Sequence, residues 1–142
     1  MRSIEMRKEL TDEWQRAGIT EKKDFAILTN VLTKAWSGMT TGEYKRHKGL
    51  TKENLRDNMT NIELALNTLA EVTATEISRQ RNPKGMAQSA QTAKEGGEVA
   101  RNTRADIESR LGHSVISAEK ASDYIHPIEE APVQELPIDK EK

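Results

Sequence analysis

"AKEGGEVARNTR", residues 93–104, places Gly96 and Gly97 side by side in a stretch that otherwise favours a helix. Each glycine inside a helix costs about 1 kcal/mol relative to alanine, so something must favour the pair. Residues that are small or apolar, with the exception of Arg104, recur around them at alternating spacings of four and three, at Met86, Ala90, Ala93, Gly97, Ala100, Arg104, Ile107 and Leu111. This heptad register predicts one long, closely packed helix.

The middle of that register forms a small-residue seam, made of Ala90, Ala93, Gly97 and Ala100. Small side chains let two helix backbones approach closely, so we expect the seam to contact either the helix at 60–81 or the same helix of a second subunit. Gly96 lies off the seam and is expected either under another helix or at a bend. The alternative is that the glycine pair divides the segment into two helices.

The preceding sequence predicts further helices and no strand. An amphipathic helix over residues 2–17 ends at Gly18, and a second helix, capped by Thr20, ends before Gly38. We expect the tryptophans of these two helices to meet in the core. Thr40 and Glu43 have capping-box spacing and open a short helix that ends near Gly49. Thr51 is a candidate cap for another short turn.

A longer helix is predicted over residues 60–81. Thr60 and Glu63 again form a capping box, and "RQRNP" ends the helix ahead of Pro83. Its apolar stripe is predicted at Ile62, Leu66, Leu69, Thr73 and Ile77, widened by Ala65 and Val72. The fold class is therefore all-α, a bundle of about five helices with a long C-terminal helix.

Composition describes a chain of 142 residues with a thin core, since 35% of residues are hydrophobic and 4% aromatic. A symmetric homodimer would add apolar burial, so we expect one. The absence of cysteine excludes disulfides and thiolate chemistry, and no signal sequence or apolar span is present. We expect a cytoplasmic protein.

Charge divides the chain into parts. Residues 1–113 carry nineteen Lys and Arg against sixteen Asp and Glu, a balance of +3, whereas residues 114–142 carry three against seven, a balance of −4. We expect a helical domain over 1–113 and a short docking segment over 114–125, with Ser117 capping a turn. Val115, Ile116, Tyr124 and Ile125 are its docking residues. A proline-rich acidic tail is expected over 126–142, and we expect it to be flexible; the alternatives are that it docks in an extended form on a partner or folds back over the basic residues.

The strongest candidate for a binding surface is a cluster of basic residues beside a tyrosine. These residues are Tyr44, Lys45, Arg46, Lys48, Lys52 and Arg56. Such a patch can neutralise phosphates, and an exposed tyrosine can stack on a base. The alternative is a pair of short helices with solvated charges. Arg79, Arg81 and Lys84 complement a helix dipole or extend the patch, and Arg101 and Arg104 are candidates for salt bridges across a dimer.

No residue pattern points to an enzyme, a cofactor or a metal site. The three histidines, His47, His113 and His126, lack a second ligand at metal-binding spacing. Glu63 is explained by helix capping, and Glu71 and Glu76 by an exposed helix face. The threonines near Glu76 lack a base, and the glycine pair is not part of a phosphate-binding loop.

Two longer runs resemble a known family. These are "EYKRHKGLTKENLRDNMTNIELALNTLAEVTATEIS" and "AKEGGEVARNTRADIESRLGHSVIS". They are similar to the C-terminal region of the bacterial DNA-damage-inducible protein D family, over about residues 7–124. Full-length members place an antirepressor-like domain before this region, and we expect this chain to stand alone without it.

The resemblance implies a regulatory, non-enzymatic module of the SOS or prophage response. Its implied partner is the filament of the strand-exchange recombinase, with single-stranded DNA as a second partner. The alternative is a helical dimerisation or assembly module that sequesters another phage or host regulator.

Overall fold

The chain folds into a bundle of helices, described by a computed structural model over residues 2–121. Within that range are the helices α1 (Arg2–Arg16), α2 (Lys22–Ser37), α3 (Thr41–His47), α4 (Asn61–Arg81) and α5 (Gly85–Leu111). A single 3₁₀ turn spans Arg56–Asn58, and residues 2–121 contain no strand. The all-α expectation is therefore confirmed. In the same part of the chain, no helix combines the length and apolarity that a bilayer span requires.

Local capping signals explain where two of the helices begin. Thr40 caps α3 and Thr60 caps α4, and in both cases the capping box is complete. The Thr20 cap of α2 is wrong, because Glu21 occupies the N-cap position and makes no side-chain cap bond. The Thr51 cap is also wrong, since residues 51–53 form bends and the next turn begins at Arg56.

Helix α5 is continuous through both glycines, so the two-helix alternative is wrong. An ideal Cβ built on Gly96 would lie 2.7 Å from the Ala70 carbonyl oxygen and 2.7 Å from the Ala74 Cβ, both on α4. A Cβ on Gly97 would lie 2.5 Å from the Ala35 Cβ and 2.7 Å from the Leu32 carbonyl oxygen, both on α2. Successive residues point about 100° apart around a helix, so adjacent glycines admit two different neighbours.

The partner of the seam is therefore found within the same chain. Ala93, Gly97 and Ala100 are buried and Ala90 is half-buried. Gly97 contacts α2, not the helix at 60–81 as expected, and it is Gly96 that lies against α4. Because both glycines are covered by helices of one chain, the seam gives no argument for a second subunit.

Two pairs of aromatic side chains lie in the core beside these contacts. Trp14 lies 6.2 Å from Phe25, and Trp36 lies 6.0 Å from Tyr44, measured between ring centroids. Both tryptophans belong to one hydrophobic cluster, as expected, although each has its own aromatic neighbour. Offset or tilted pairs at such distances add to the stability that area burial gives.

The apolar stripe predicted on α4 is correct only in part: Leu66 is buried in the core, and Ile62 and Leu69 pack against that core without being fully buried. Ile62, Leu69, Thr73 and Ile77 are only half-buried, as is Val72, and Ala65 is exposed. The face turned inward is small and polar, and consists of Glu63, Leu66, Asn67, Ala70, Glu71, Ala74, Thr75 and Ser78. The physical reason is twofold: Gly96 requires small residues opposite it, and several of the polar residues hydrogen-bond other elements. The larger side chains pack along the edges of the helix.

A methyl group at Gly97 tests the close contact with α2. We expect Gly97→Ala to lower the free energy of unfolding by about 1 to 3 kcal/mol, because the added Cβ meets backbone atoms that cannot turn aside. Urea denaturation followed by circular dichroism measures this.

The matched control is Gly42→Ala on α3, where the nearest atom is the end of the Arg46 side chain at 3.7 Å. Helix propensity predicts no loss of stability there. Equal urea midpoints of unfolding for Gly97→Ala and Gly42→Ala would contradict the close contact between α5 and α2.

Candidate functional site

The structure divides the basic patch predicted from sequence. Tyr44 and Lys48 are buried, so neither an exposed stacking tyrosine nor a free Lys48 exists, and both predictions are wrong. Arg56 keeps 19% of its side chain exposed and forms an ion pair with Glu71. Glu71 is buried, so the exposed helix face expected for it is wrong, whereas Glu76 is exposed as expected.

One carboxylate, that of Glu63, holds the buried part of this patch. Its Oε1 accepts hydrogen bonds from Lys48 Nζ at 2.7 Å and from Thr60 N at 2.8 Å. Its Oε2 accepts from the Tyr44 hydroxyl and from Ser117 N, the latter at 2.9 Å. Glu63 therefore joins α3, the start of α4 and the chain that follows α5. Capping explains only one of its four contacts.

The electrostatics of this cluster follow from burial and hydrogen bonding. Burial by itself raises the pKa of Glu63, but the bonds from Lys48, Ser117, Tyr44 and Thr60 together hold that pKa below its usual value. Burial and the Glu63 carboxylate raise the pKa of Tyr44 far above its usual value. The phenol thus stays protonated and donates.

The segment after α5 docks on the same region. Val115 is buried, Lys48 Nζ donates to the Glu119 carbonyl at 2.6 Å, and Ala121 N donates to Asn58 Oδ1 at 2.9 Å. Ser117 Oγ accepts from Glu119 N. Tyr124, Ile125 and the predicted tail at 126–142 lie outside the described residues.

Most other arginines are engaged in ion pairs inside the described chain. Arg79 pairs with Glu9, Glu13 and Glu76, and Arg81 pairs with Glu95. These contacts account for both arginines without a ligand.

Arg104 binds the C-terminal end of α2, not a second subunit. Its Nη1 donates to the carbonyls of Trp36 and Ser37 at 3.2 and 3.0 Å, and its Nε pairs with Glu108 at 2.7 Å. A cation at this end of a helix satisfies carbonyls that lack helical partners. The dimer-spanning role expected for Arg104 is therefore wrong, whereas Arg101 is exposed.

Arg104 also lines a groove between α2 and α5, which contains three further cations without such partners. The groove has a volume of about 430 Å³ and is lined on one side by Val31, Lys34 and Ala35, and on the other by Lys94, Glu98 and Arg101. Lys34, Lys94 and Arg101 are exposed and form no ion pair with a described residue. We call this feature the cationic groove.

The glycine contact positions the cationic groove. Gly97 brings α5 against Leu32 and Ala35 of α2, which places Lys94 and Arg101 opposite Lys34. Ile27, 47% exposed, lies one helical turn before Val31 on α2. Three cations around an apolar floor favour an acidic surface that carries an apolar anchor.

Three members of the sequence-predicted patch still reach solvent, namely Lys45, Arg46 and Lys52. They lie on α3 and on the loop that follows it, without an ion pair to any described residue. The structure thus leaves two separate basic surfaces. Sequence reasoning missed the cationic groove, because its two sides are about sixty residues apart and each has ordinary helical charge spacing.

Side chains that could hold a metal do not cluster among the described residues. His47 and His113 are both exposed, and His126 lies beyond the described part of the chain.

The fold and these contacts define the class of protein as an all-helical domain with a polar core and a cationic groove. The chain belongs to a particular family, the DinD C-terminal domain, whose family model matches residues 2–123. Neither the curated proteins nor the solved structures gave a match to this chain. The resemblance seen in the sequence is therefore confirmed.

The Glu63 cluster predicts a specific pH dependence. Because the folded-state pKa of Glu63 is lower than its usual 4.5, ionised Glu63 stabilises the fold above that pH, and the contribution is lost as the pH falls through the folded-state value. We expect Glu63→Gln to cost about 3 to 5 kcal/mol near neutral pH, since it leaves Lys48 buried without its counter-ion.

Chemical denaturation between pH 7 and pH 3 measures this difference. The gap between wild type and Glu63→Gln should narrow as the pH falls below about 4.5. Glu21→Gln, at an exposed position without a side-chain cap bond, is the control. A difference in the free energy of unfolding between wild type and Glu63→Gln that stays constant with pH would contradict the stabilising role of ionised Glu63.

Proposed function

We propose that this chain is a regulatory binding module of the bacterial DNA-damage or prophage response that acts on the recombinase filament. Membership of the DinD C-terminal domain family supports a role related to DNA damage. The cationic groove is the surface through which the module binds. No catalytic step is part of this proposal.

A single observation carries the proposal: three of the four cations that line the groove, Lys34, Lys94 and Arg101, form no ion pair with a described residue, whereas the fourth, Arg104, and most other arginines are neutralised within the chain. Ion pairing inside the fold would have been available to Lys94 and Arg101, because Glu98 lies between them on α5. Unpaired charges beside an apolar floor are typical of a surface that is completed by a partner.

A protein surface fits the groove better than a bare strand does. The phosphates of a bare strand would pair with the cations but leave Val31 and Ile27 in contact with water. An acidic protein segment with an aliphatic side chain would pair with the cations and also cover these apolar residues. Lys45, Arg46 and Lys52 form a separate basic surface that reaches solvent, and binding to the coated strand does not require it.

The assembly-module alternative loses its main structural support. It depended on a seam open to a second subunit, and Gly96 and Gly97 are both covered within the chain. The assembly module remains one outcome of the test below, because the mass of the protein in solution distinguishes a dimer from a monomer.

Charge reversal on the groove tests the proposal. A labelled single strand, coated with recombinase in the presence of ATP, is titrated with wild type and with Lys34→Glu/Lys94→Glu, and anisotropy is recorded. We expect the double variant to bind at least about tenfold more weakly, because both lysines are exposed and the substitutions place like charges against the acidic partner.

The matched control is Arg46→Glu/Lys52→Glu, which reverses two exposed charges on the other basic surface. It should bind the coated strand about as well as wild type. Equal loss for both variants would overturn the groove as the site. No binding by wild type, together with twice the monomer mass in sedimentation, would favour the assembly module.

A further inference from the structure

A second concave site lies on the other side of α2, among α1, α3, α4 and the 3₁₀ turn. It has a volume of about 240 Å³. A cavity of about 150 Å³ in another protein holds benzene, so this pocket encloses a ring system of about the size of a nucleobase, and the rest of a larger ligand lies outside it. Its apolar wall is formed by Leu10, Trp14, Leu32, Leu55 and Met59.

Four of the residues that line this pocket carry a buried polar atom without a hydrogen-bond partner in the described structure. These atoms are Trp14 Nε1, Thr41 Oγ1, Arg56 Nη1 and Glu71 Oε1. Buried polar groups are nearly always paired, and an unpaired one costs about 1 to 3 kcal/mol. Four such atoms around one pocket therefore indicate a site that a ligand completes.

The contacts of Glu71 explain why one of its oxygens and one nitrogen of Arg56 have no hydrogen-bond partner in the described structure. Arg56 Nη2 pairs with Glu71 Oε2, Asn67 Nδ2 donates to that oxygen at 3.4 Å, and Arg7 Nη1 lies 3.7 Å from it. All three partners converge on one oxygen of the carboxylate. The other oxygen and the second terminal nitrogen of Arg56 thus remain as an acceptor and a donor on the same ion pair.

The chemistry of those groups narrows the ligand. A simple anion would satisfy Arg56 but not Glu71, and an apolar ring would satisfy neither. The edge of a nucleobase offers an N–H or amino donor beside a nitrogen or oxygen acceptor, which matches one carboxylate oxygen together with one guanidinium nitrogen. The flat face of a base also suits the apolar wall of the pocket.

The charge of the pocket indicates which further group the ligand carries. Its charged lining residues are Arg7, Lys45, Arg56 and Glu71, a formal balance of +2. Lys45 is half-buried, and Arg7 keeps 35% of its side chain exposed while its guanidinium contacts Thr29 and Glu71. A phosphate monoester carries about −1.5 to −2 at pH 7 and fits two such cations.

We propose that this pocket binds a mononucleotide, with the base against Trp14, Thr41, Arg56 and Glu71 and the phosphate on Arg7 and Lys45. The site is separate from the cationic groove, and it does not depend on binding to the recombinase filament. The shared chemistry is that of one nucleotide unit, whether free or part of a strand.

Titration of the ¹⁵N-labelled chain with AMP tests the site through the indole N–H resonance of Trp14, one of two tryptophans in the sequence. AMP should shift this resonance saturably, whereas ribose 5-phosphate and inorganic phosphate should not. A hexamer of deoxyadenylate in the same titration distinguishes a strand from a free nucleotide, and a shift with either supports the site. No shift with either ligand, or an equal shift with inorganic phosphate, overturns it.

Two variants that keep the buried ion pair intact sharpen the test. Thr41→Val removes one hydroxyl, keeps the side-chain shape and leaves the hydrogen bond from the backbone N–H of residue 41 to Asn30 in place. This variant should bind AMP about threefold to tenfold more weakly. Lys45→Gln should lower the affinity for AMP but leave the affinity for adenosine unchanged, because the substitution removes only a phosphate contact. Unchanged AMP affinity in both variants, each folded by circular dichroism, would contradict the proposed pose.

Discussion

The rest of the structure depends on the close approach of α5 to two helices at once, through Gly96 and Gly97. A Cβ on either residue would lie within 2.7 Å of atoms on α4 or α2, so no other residue fits both positions without displacement of a helix. Because dispersion contacts fall steeply with separation, this approach lets main chains replace the bulky side chains that the sequence lacks. It explains how a chain with 35% hydrophobic residues forms a dense core, and it places Lys34 opposite Lys94 and Arg101 in the cationic groove.

The core obtained in this way is unusually polar, and its polar groups are arranged in two clusters on one face of α4. Glu63 joins α3 and the segment after α5, and Glu71 joins α1 to the 3₁₀ turn through Arg7 and Arg56. Buried ion pairs contribute little net stability over apolar residues of the same shape, but removal of one partner is costly. The clusters differ in one respect that bears on function: both oxygens of Glu63 have partners, whereas Glu71 retains one oxygen without a partner among the described residues.

Sequence patterns predicted the helices, the two capping boxes and the family, since these depend on residues a few positions apart. They failed where partners are distant: Tyr44 and Lys48 meet Glu63 across 19 and 15 residues, and Ser117 meets it across 54. Glu63 already had a local explanation as a capping residue, which hid its other contacts. One signal was available, because Glu63, Asn67, Glu71 and Thr75 recur every four residues, and such a polar stripe beside Ala70 and Ala74 is compatible with an inward face. The cationic groove had no comparable signal, as it exists only once Gly97 has brought α2 and α5 together.

Lysine acylation read out by mass spectrometry tests the central claim most directly, because the chain carries its own internal controls. Lys34 and Lys94 lie in the cationic groove, Lys52 is exposed on the other basic surface, and Lys48 is buried. The account predicts that recombinase filament assembled on a single strand shields Lys34 and Lys94 from a soluble acylating reagent and leaves Lys52 as reactive as in the free protein. Shielding of Lys52 with unchanged labelling of Lys34 and Lys94 would contradict it.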